Sequence, residues 1–277
     1  MSRQNEHRLT AATTRIIGVL SHPAGETPER RALAERASDA LDEAAILGFG
    51  TILRDIAEPV EALRRLGSRG VLLAGRLREA GSGLVDRLAD EAHGSGLSDI
   101  VTFDGEEAIG YNSEARTFVS LLEEHAEKFA GKSAVILGAG MVARGAAWAL
   151  IRHFRVRRVA IAARDPQAAR IVKTSILSPQ TDSTVTTHEL FPPDIADEIA
   201  EARLIINATP IGTDPEREET PITLPDIFGS HQIVLDVVRS GAITMHRTEN
   251  DADDISNVTP GIVVTAEDDG QLKGFAG

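Results

Sequence analysis

No cysteine occurs among the 277 residues of the chain. Its absence excludes disulfide bonds, thiolate zinc sites and cysteine nucleophiles. Lysine is scarce as well, because the four lysines stand at positions 128, 132, 173 and 273 and the first 127 residues contain none. Any catalysis that relies on this first part of the chain must therefore do without a lysine.

Excess positive charge, metal-binding spacing and long apolar runs are lacking too. The formal net charge of -13 argues against nucleic-acid binding, which needs a basic surface. The eight histidines show neither His-x-x-x-His nor His-Glu-x-x-His spacing, so we expect no bound metal. Residues 1–14 are polar, and the longest apolar runs have the length of strands. We therefore expect a soluble cytoplasmic protein that has a small-molecule partner and neither a nucleic-acid nor a membrane partner.

Short apolar runs alternate with longer segments of helical spacing, which is typical of α/β proteins with mostly parallel sheets. Gly48-Phe-Gly50 is interpreted as the end of the first long helix. Helices are predicted at residues 29–47, 60–66, 114–129 and 141–150. Strands are predicted at residues 16–20, 51–53, 70–74, 100–103, 108–111, 134–137, 159–163, 204–207 and 233–237.

The most specific local motif begins where the strand at 134–137 runs directly into Gly138-Ala-Gly140. Helical spacing follows, and strand, glycine turn and helix form the context in which Gly-x-Gly-x-x-Gly/Ala indicates dinucleotide binding. Gly138 permits the tight turn, and Gly140 lets the backbone approach a pyrophosphate at the helix N-terminus. The alternative is a turn that only packs the helix on the sheet. The cofactor residues assigned here are Gly138, Ala139, Gly140, Met141, Val142 and Ala143.

The dinucleotide motif starts in the middle of the chain, so the roughly 110 residues before it should form a separate lobe. We expect an N-terminal α/β substrate domain over residues 1–112, to which residues 262–277 are candidates to return. A Rossmann-like NAD(P)-binding domain with a parallel sheet should follow over residues 113–261. Two lobes with a cleft between them suit a cofactor-dependent enzyme.

Four motifs occur in the order known from one enzyme family. They are Gly110-Tyr-Asn-Ser-Glu114, the glycine loop from Gly138 to Gly145, Asn207-Ala-Thr-Pro-Ile-Gly212 and Asp236-Val-Val-Arg-Ser-Gly-Ala-Ile-Thr244. The chain thereby resembles the shikimate/quinate dehydrogenase family, as a divergent, shikimate-dehydrogenase-like member. The resemblance implies a substrate lobe, a Rossmann-like lobe, and NAD(P)-dependent oxidation of a carboxylated cyclic alcohol such as shikimate, or the reverse reduction.

The catalytic pair of the family is altered in this chain. Its aspartate corresponds to Glu114, and its lysine corresponds to Arg78. Arginine keeps the positive charge, but its pKa is too high for proton transfer at neutral pH. If the chemistry is retained, the resemblance therefore implies Glu114 as the base and Arg78 as an electrostatic clamp.

Further site residues follow from the same resemblance. The serine that grips the substrate carboxylate corresponds to Ser21, the substrate tyrosine of the family is replaced by Arg239, and Asn112 belongs to the motif before Glu114. The remaining cofactor contacts correspond to Asn207, Ala208, Thr209, Pro210, Val237 and Gly261.

The end of the second Rossmann strand bears on the choice of cofactor. An arginine there suits the 2′-phosphate of NADP, and an acid suits the ribose 2′-hydroxyl of NAD. This chain has Ala163-Arg164-Asp165. Arg164 favours NADP, whereas Asp165 leaves NAD open, and we expect NADP.

Three functions are consistent with the motifs. The first is an NAD(P)-dependent dehydrogenase of the shikimate class with a drifted substrate, and the second is a non-catalytic NAD(P)-binding sensor or subunit of the same fold. The third, another two-lobed NADP enzyme such as a methylenetetrahydrofolate dehydrogenase, conflicts with the intact Asn-Ala-Thr-Pro motif. A monomer and a homodimer remain open.

Overall fold

The computed structural model describes residues 15–22, 31, 34, 35, 44–177, 181–211, 221, 222, 231–237, 242–247 and 263–265. The chain divides into two compact units. The first unit takes its described residues from Met1–Leu88 and Ser98–Tyr111, and the second unit takes them from Ala89–Leu97 and Asn112–Gln271. Each unit contains one sheet, so the α/β class predicted from the sequence is confirmed.

The first unit is built on a six-stranded sheet. Its strands are β1 (Arg15–Ser21), β2 (Ala44–Gly50), β3 (Gly70–Leu73), β4 (Arg87–Leu88), β5 (Ile100–Asp104) and β6 (Glu107–Tyr111). They lie in the order β2-β1-β3-β5-β6-β4. β1 pairs in parallel with β2 and β3, whereas β5 is antiparallel to β3 and β6. Of the helices in this unit, the structure describes α1 (Ala57–Arg65) and α2 (Arg78–Gly81) over their whole length.

β3 lies in the interior of this sheet, between β1 and β5. All four residues of β3 are buried, as expected for a strand covered on both faces. Helix α1 buries Val60 and Leu63, one helical turn apart, on one side of it. A Cβ on Gly18 of β1 would overlap the side chain of Leu63, so this glycine allows the helix to approach the strand closely.

The structure corrects the prediction around residue 48. Residues 44–47, predicted as the end of a helix, belong to β2, and the strand predicted at 51–53 is wrong. β2 pairs residue by residue with β1, from Arg15 opposite Ala44 to Ser21 opposite Gly50. Pairing with β1 therefore determines the strand conformation of this segment. The prediction from sequence instead interpreted its glycines as the end of a helix.

The second unit contains a seven-stranded sheet. Its strands are β7 (Ser133–Leu137), β8 (Arg158–Ala163), β9 (Thr184–Glu189), β10 (Leu204–Asn207), β11 (Ile233–Val237), β12 (Ala242–Arg247) and β13 (Val263–Thr265). The order is β13-β12-β11-β10-β7-β8-β9, with all pairings from β11 to β9 parallel. The Rossmann-like prediction is confirmed, and β12 and β13 extend the sheet as antiparallel strands.

The described residues of the second unit also form helices. They are α3 (Asp90–Ser95), α4 (Ser113–Leu122), α5 (Ala126–Phe129), α6 (Met141–Trp148), α7 (Pro166–Ile176) and α8 (Pro192–Glu201). The helix predicted over 114–129 is interrupted by a 3-10 turn at Glu123–His125, and α6 continues into a π-helical turn at Ala149–His153. Among the helices that the structure describes, none is long and apolar enough to cross a membrane.

The strand order locates a crevice in the second unit. The chain winds outward from β7 through β8 to β9, and then returns to the other side of β7 to form β10 and β11. The loops after β7 and β10 therefore leave the sheet in opposite directions. In open α/β sheets ligands bind at the carboxyl ends of the strands at this switch point.

Candidate nucleotide-binding site

The glycine loop lies at the carboxyl end of β7, beside the loop that follows β10. Gly138 has a φ of +109°, and its N–H donates to the carbonyl oxygen of Ala162 at 2.7 Å. A Cβ at Gly138 would lie 2.7 Å from the carbonyl oxygen of Ala208. Both the backbone angle and the close approach of the second loop therefore require glycine at this position.

Gly140 provides open space at the N-terminus of α6. It is the N-cap residue, no side chain caps the helix, and a Cβ added to it would meet nothing within 4 Å. The uncapped N–H groups at a helix N-terminus attract anions, and the absence of a Cβ leaves room for one. These features fit the pyrophosphate of a dinucleotide. Ala139, Met141 and Val142 are half-buried around the same turn.

Small residues let α6 pack closely on its neighbours. Ala143, the third position of the motif, is fully buried. Two residues further, a Cβ on Gly145 would lie 2.8 Å from the Cβ of Glu114 and 2.9 Å from the backbone nitrogen of Ala115. The glycine-loop helix is thus in direct contact with the first turn of α4, which carries Glu114.

The Asn-Ala-Thr-Pro motif forms a turn held by its own side chains. Asn207 and Thr209 are buried, and Oδ1 of Asn207 accepts from the backbone N–H of Thr209 at 3.1 Å and from its hydroxyl at 2.7 Å. The N–H of Ala208 donates to Leu137 at 2.8 Å. The motif residues therefore fix the second loop against the glycine loop, and Pro210 follows on the exposed side.

Arg164 and Asp165 follow β8, as the sequence predicts, and they differ in their contacts. Oδ1 of Asp165 accepts from the N–H of Gln167 at 2.9 Å, which makes Asp165 the N-cap of α7. Arg164 is exposed and has no hydrogen-bond or ion-pair partner among the described residues. The capping role was overlooked in the sequence, although Asp followed by Pro is a strong signal for a helix start.

The two residues assigned to catalysis belong to different units. Glu114 is half-buried in the first turn of α4 in the second unit. Arg78 is half-buried at the start of α2 in the first unit, where its carbonyl oxygen accepts from the N–H of Ser98 at 3.4 Å. Their joint role in catalysis stays a prediction.

Asn112 and Ser21 are both buried, with 2% of each exposed. Oδ1 of Asn112 caps α4 by accepting from the N–H of Ala115 at 3.1 Å, and its Nδ2 donates to the hydroxyl of Ser95 at 2.6 Å. Ser95 is 17 residues away, and nothing in the sequence pattern indicates this pair. Ser21 ends β1, and its hydroxyl lies 3.4 Å from the carbonyl oxygen of His22.

Of the remaining predicted residues, the structure describes only Val237. Val237 is half-buried at the end of β11, on the same carboxyl edge as the glycine loop. Arg239, Gly212 and Gly261 lie outside the described residues. In the part of the chain that the structure describes, no group of three or more His, Asp or Glu side chains is placed to hold a metal ion.

Comparison with known proteins agrees with this geometry. The family model described as the saccharopine dehydrogenase NADP binding domain matches residues 134–216. The shikimate dehydrogenase (NADP(+)) of Symbiobacterium thermophilum is 30% identical over 236 residues, which cover 81% of this chain and 76% of that protein. The chain therefore belongs to the shikimate dehydrogenase family.

Solved structures share the fold at lower sequence identity. The shikimate 5-dehydrogenase of Listeria monocytogenes, in complex with shikimate and NAD, superposes with a TM-score of 0.72 at 23% identity, covering 82% of this chain and 79% of that one. The 5-ketofructose reductase of a Gluconobacter species superposes with a TM-score of 0.67 at 23% identity, covering 81% and 79%. Proteins of this fold thus carry names that refer to different substrates.

Proposed function

We propose that the protein is an NADP-dependent dehydrogenase that interconverts a carboxylated cyclic alcohol and its ketone. The observation that carries the proposal is the open, uncapped helix N-terminus at Gly140 beside the Asn207–Thr209 turn, at the switch point of the sheet. When bound there, NADP supplies or accepts the hydride. The residues of the chain bind and orient the reactants and move the hydroxyl proton.

The contacts after β8 support NADP over NAD. Oδ1 of Asp165 is engaged by the N-terminus of α7, which leaves Oδ2 as the acceptor open to a ribose hydroxyl. The exposed guanidinium of Arg164 has no partner within the described residues and can pair with a 2′-phosphate. The relative from Symbiobacterium thermophilum is also named as an NADP enzyme.

Glu114 is the group that we assign to proton transfer. A carboxylate can accept the hydroxyl proton during oxidation and return it during reduction, whereas a guanidinium remains protonated. Arg78 and Arg239 would attract the carboxylate of the substrate, and Ser21 and Asn112 would contribute hydrogen bonds. The substrate class follows from relatives that are named as shikimate dehydrogenases.

We assign the substrate to a domain over residues 1–112, with residues 262–277 as candidates to return to it, and the cofactor to a domain over residues 113–261. We assign the protein to the cytoplasm, and a chain without cysteine has no disulfide bond that would conflict with a reducing compartment. The second candidate function is a non-catalytic NADP-binding sensor or subunit. It is favoured by one observation, the absence of lysine from the first 127 residues.

Two measurements on the same protein separate these functions. Titration with NADPH, followed by fluorescence, measures binding, and absorbance of the reduced cofactor follows turnover with shikimate, quinate and related cyclic hydroxy acids. Binding with turnover of one of these acids supports the dehydrogenase, and binding without any turnover supports the sensor. A Gly140→Asp variant is the control, because its carboxylate would repel the pyrophosphate, and it should lose binding in either case.

A further inference from the structure

A row of cations crosses the amino-terminal edge of the sheet in the second unit. Arg203, Lys132 and Arg157 each stand immediately before a strand, namely β10, β7 and β8. These strands are neighbours in the sheet, and neighbouring strands lie about 4.8 Å apart. The three residues, which we call the cation row, therefore span about 10 Å along this edge. The N–H of Arg157 donates to the carbonyl oxygen of Lys132 at 3.1 Å, which fixes part of the row.

The cation row lines a cavity of about 700 Å³. Lys128 and His231 line it as well, together with the hydroxyl-bearing Ser133 and the carboxylates of Glu127 and Glu201. A volume of this size lies within the range of small-molecule sites. The cavity is therefore large enough to take a ligand.

The charge of this cavity is positive, in contrast to the whole chain. Glu201 already pairs with Arg158 at 3.1 Å, and Glu198 pairs with the same guanidinium at 2.7 Å. The hydrogen bond that Arg158 donates to Glu198 raises the pKa of Arg158 above its ordinary value. With Glu201 engaged in this way, Glu127 is the remaining carboxylate among the residues that line the cavity.

The cations themselves lack acidic partners. Within the described residues, neither Lys128 nor any member of the cation row forms an ion pair. Nε of Arg203 donates to the carbonyl oxygen of Lys128 at 3.1 Å, which orients its guanidinium. The chain has 42 acidic and 29 basic residues, so four basic side chains around one cavity without ion pairs stand out against its composition. Buried or converging cations without a partner attract anions.

We propose that this cavity binds a small molecule with two or more linked phosphate groups. Arginine and lysine together favour phosphate, through fork-shaped and point-charge contacts respectively, and a row of several cations favours more than one negative charge. The site is separate from the glycine loop. Ser133 and Gly138 lie at opposite ends of β7, five residues and therefore about 16 Å apart. The proposal is independent of the proposed dehydrogenase function.

Calorimetric titration of the full-length protein with inorganic pyrophosphate tests the proposal. Saturating NADP, or the Gly140→Asp substitution, keeps pyrophosphate away from the glycine loop. We expect one pyrophosphate to bind, with an affinity that falls as sodium chloride is added. A Lys132→Gln/Arg157→Gln variant should bind it at least about tenfold more weakly. Using Gly140→Asp makes the test informative even if NADP binds nowhere on the protein.

The matched control is a Lys173→Gln/Arg54→Gln variant, which removes the same charges elsewhere. Lys173 lies on α7, and Arg54 is 82% exposed. This variant should bind pyrophosphate like the unaltered protein. Lys132 and Arg157 are exposed, so their replacement should leave the thermal midpoint unchanged. Absence of binding with the glycine loop blocked, or equal loss in both double variants, would overturn the proposal.

Discussion

Gly138 combines two constraints that can be measured separately. A side chain at this position would be strained by the φ of +109° and would also lie 2.7 Å from the carbonyl oxygen of Ala208. Gly131 has a φ of +67°, but a Cβ there would meet nothing within 4 Å. The pair therefore compares a glycine under backbone strain alone with one that also faces a steric clash.

We expect Gly138→Ala to lower the free energy of unfolding by more than about 2 kcal/mol. Gly131→Ala should lower it by about 1 kcal/mol, because only the backbone strain applies. Urea denaturation followed by circular dichroism measures both values. Equal losses in the two variants would show that the contact with Ala208 does not constrain the loop.

Asn112 has a structural role that can be distinguished from a role in substrate binding. Its side chain caps α4 and donates to Ser95, so Asn112→Ala should lower the free energy of unfolding by about 1–2 kcal/mol. Asn112→Asp keeps the capping oxygen but loses the N–H donor to Ser95. If Asn112 also binds substrate, the aspartate variant should raise KM for the anionic substrate by charge repulsion, with less effect on kcat. Steady-state kinetics measures KM and kcat, and urea denaturation measures the free energy of unfolding. An unchanged KM would show that Asn112 has only the structural role.

At the scale of elements, α6 has one position that has room for a side chain and one that has none. Its N-terminus is open at Gly140, whereas Gly145 lies against Glu114 and Ala115 on α4. Stability should therefore depend on Gly145, and cofactor binding should depend on Gly140. The two positions are five residues apart in one structural motif and serve as controls for each other.

Gly140→Ala should leave the thermal midpoint nearly unchanged and weaken NADPH binding by about tenfold or more, because its Cβ occupies the space that a pyrophosphate needs. Gly145→Ala should lower the free energy of unfolding by about 1–3 kcal/mol through overpacking against α4. Thermal melts and fluorescence titrations measure these effects. A large loss of stability in Gly140→Ala would contradict the assignment of open space to that position.

The elements that the sequence predicts well are those whose pattern is local. The strand before Gly138 and the helix after it could be predicted because an apolar run, a glycine turn and helical spacing are adjacent in the chain. β2 could not be predicted, since its apolar residues become a strand through pairing with β1. The hydrogen bond from Asn112 to Ser95 could not be predicted either, because the two residues come together only when α3 packs against α4.

At the scale of the whole molecule, the single tryptophan offers a selective probe. Trp148 ends α6 in the second unit, so its fluorescence reports on the unit that carries the glycine loop. NADP at a hundred times its dissociation constant should raise the free energy of unfolding seen by this probe by about 2.7 kcal/mol. Urea denaturation with and without NADP measures the difference. The Gly140→Asp variant should show no such gain, and a gain in that variant would place the cofactor elsewhere.

The sequence also predicted the two-lobed α/β architecture, because the glycine loop begins only after about 130 residues. The order of strands in each sheet could not be read from it, since that order depends on crossovers that local patterns do not encode. The catalytic pair could not be predicted for a different reason. Glu114 and Arg78 differ in residue type from the pair that the family resemblance implies, and chemical substitution alone does not determine whether turnover is retained.

The helix α3 gives the chain an unusual connectivity. Residues Ala89–Leu97 belong to the second unit, although the segments on both sides of them belong to the first. A Cβ on Gly94 would lie 2.5 Å from an atom of the Trp148 indole, and Ser95 accepts the hydrogen bond of Asn112. A chain trimmed to begin at residue 113 would therefore lose the cover of its tryptophan. The two units cannot be exchanged as modules by a single cut, and recombination with a relative would have to carry α3 along.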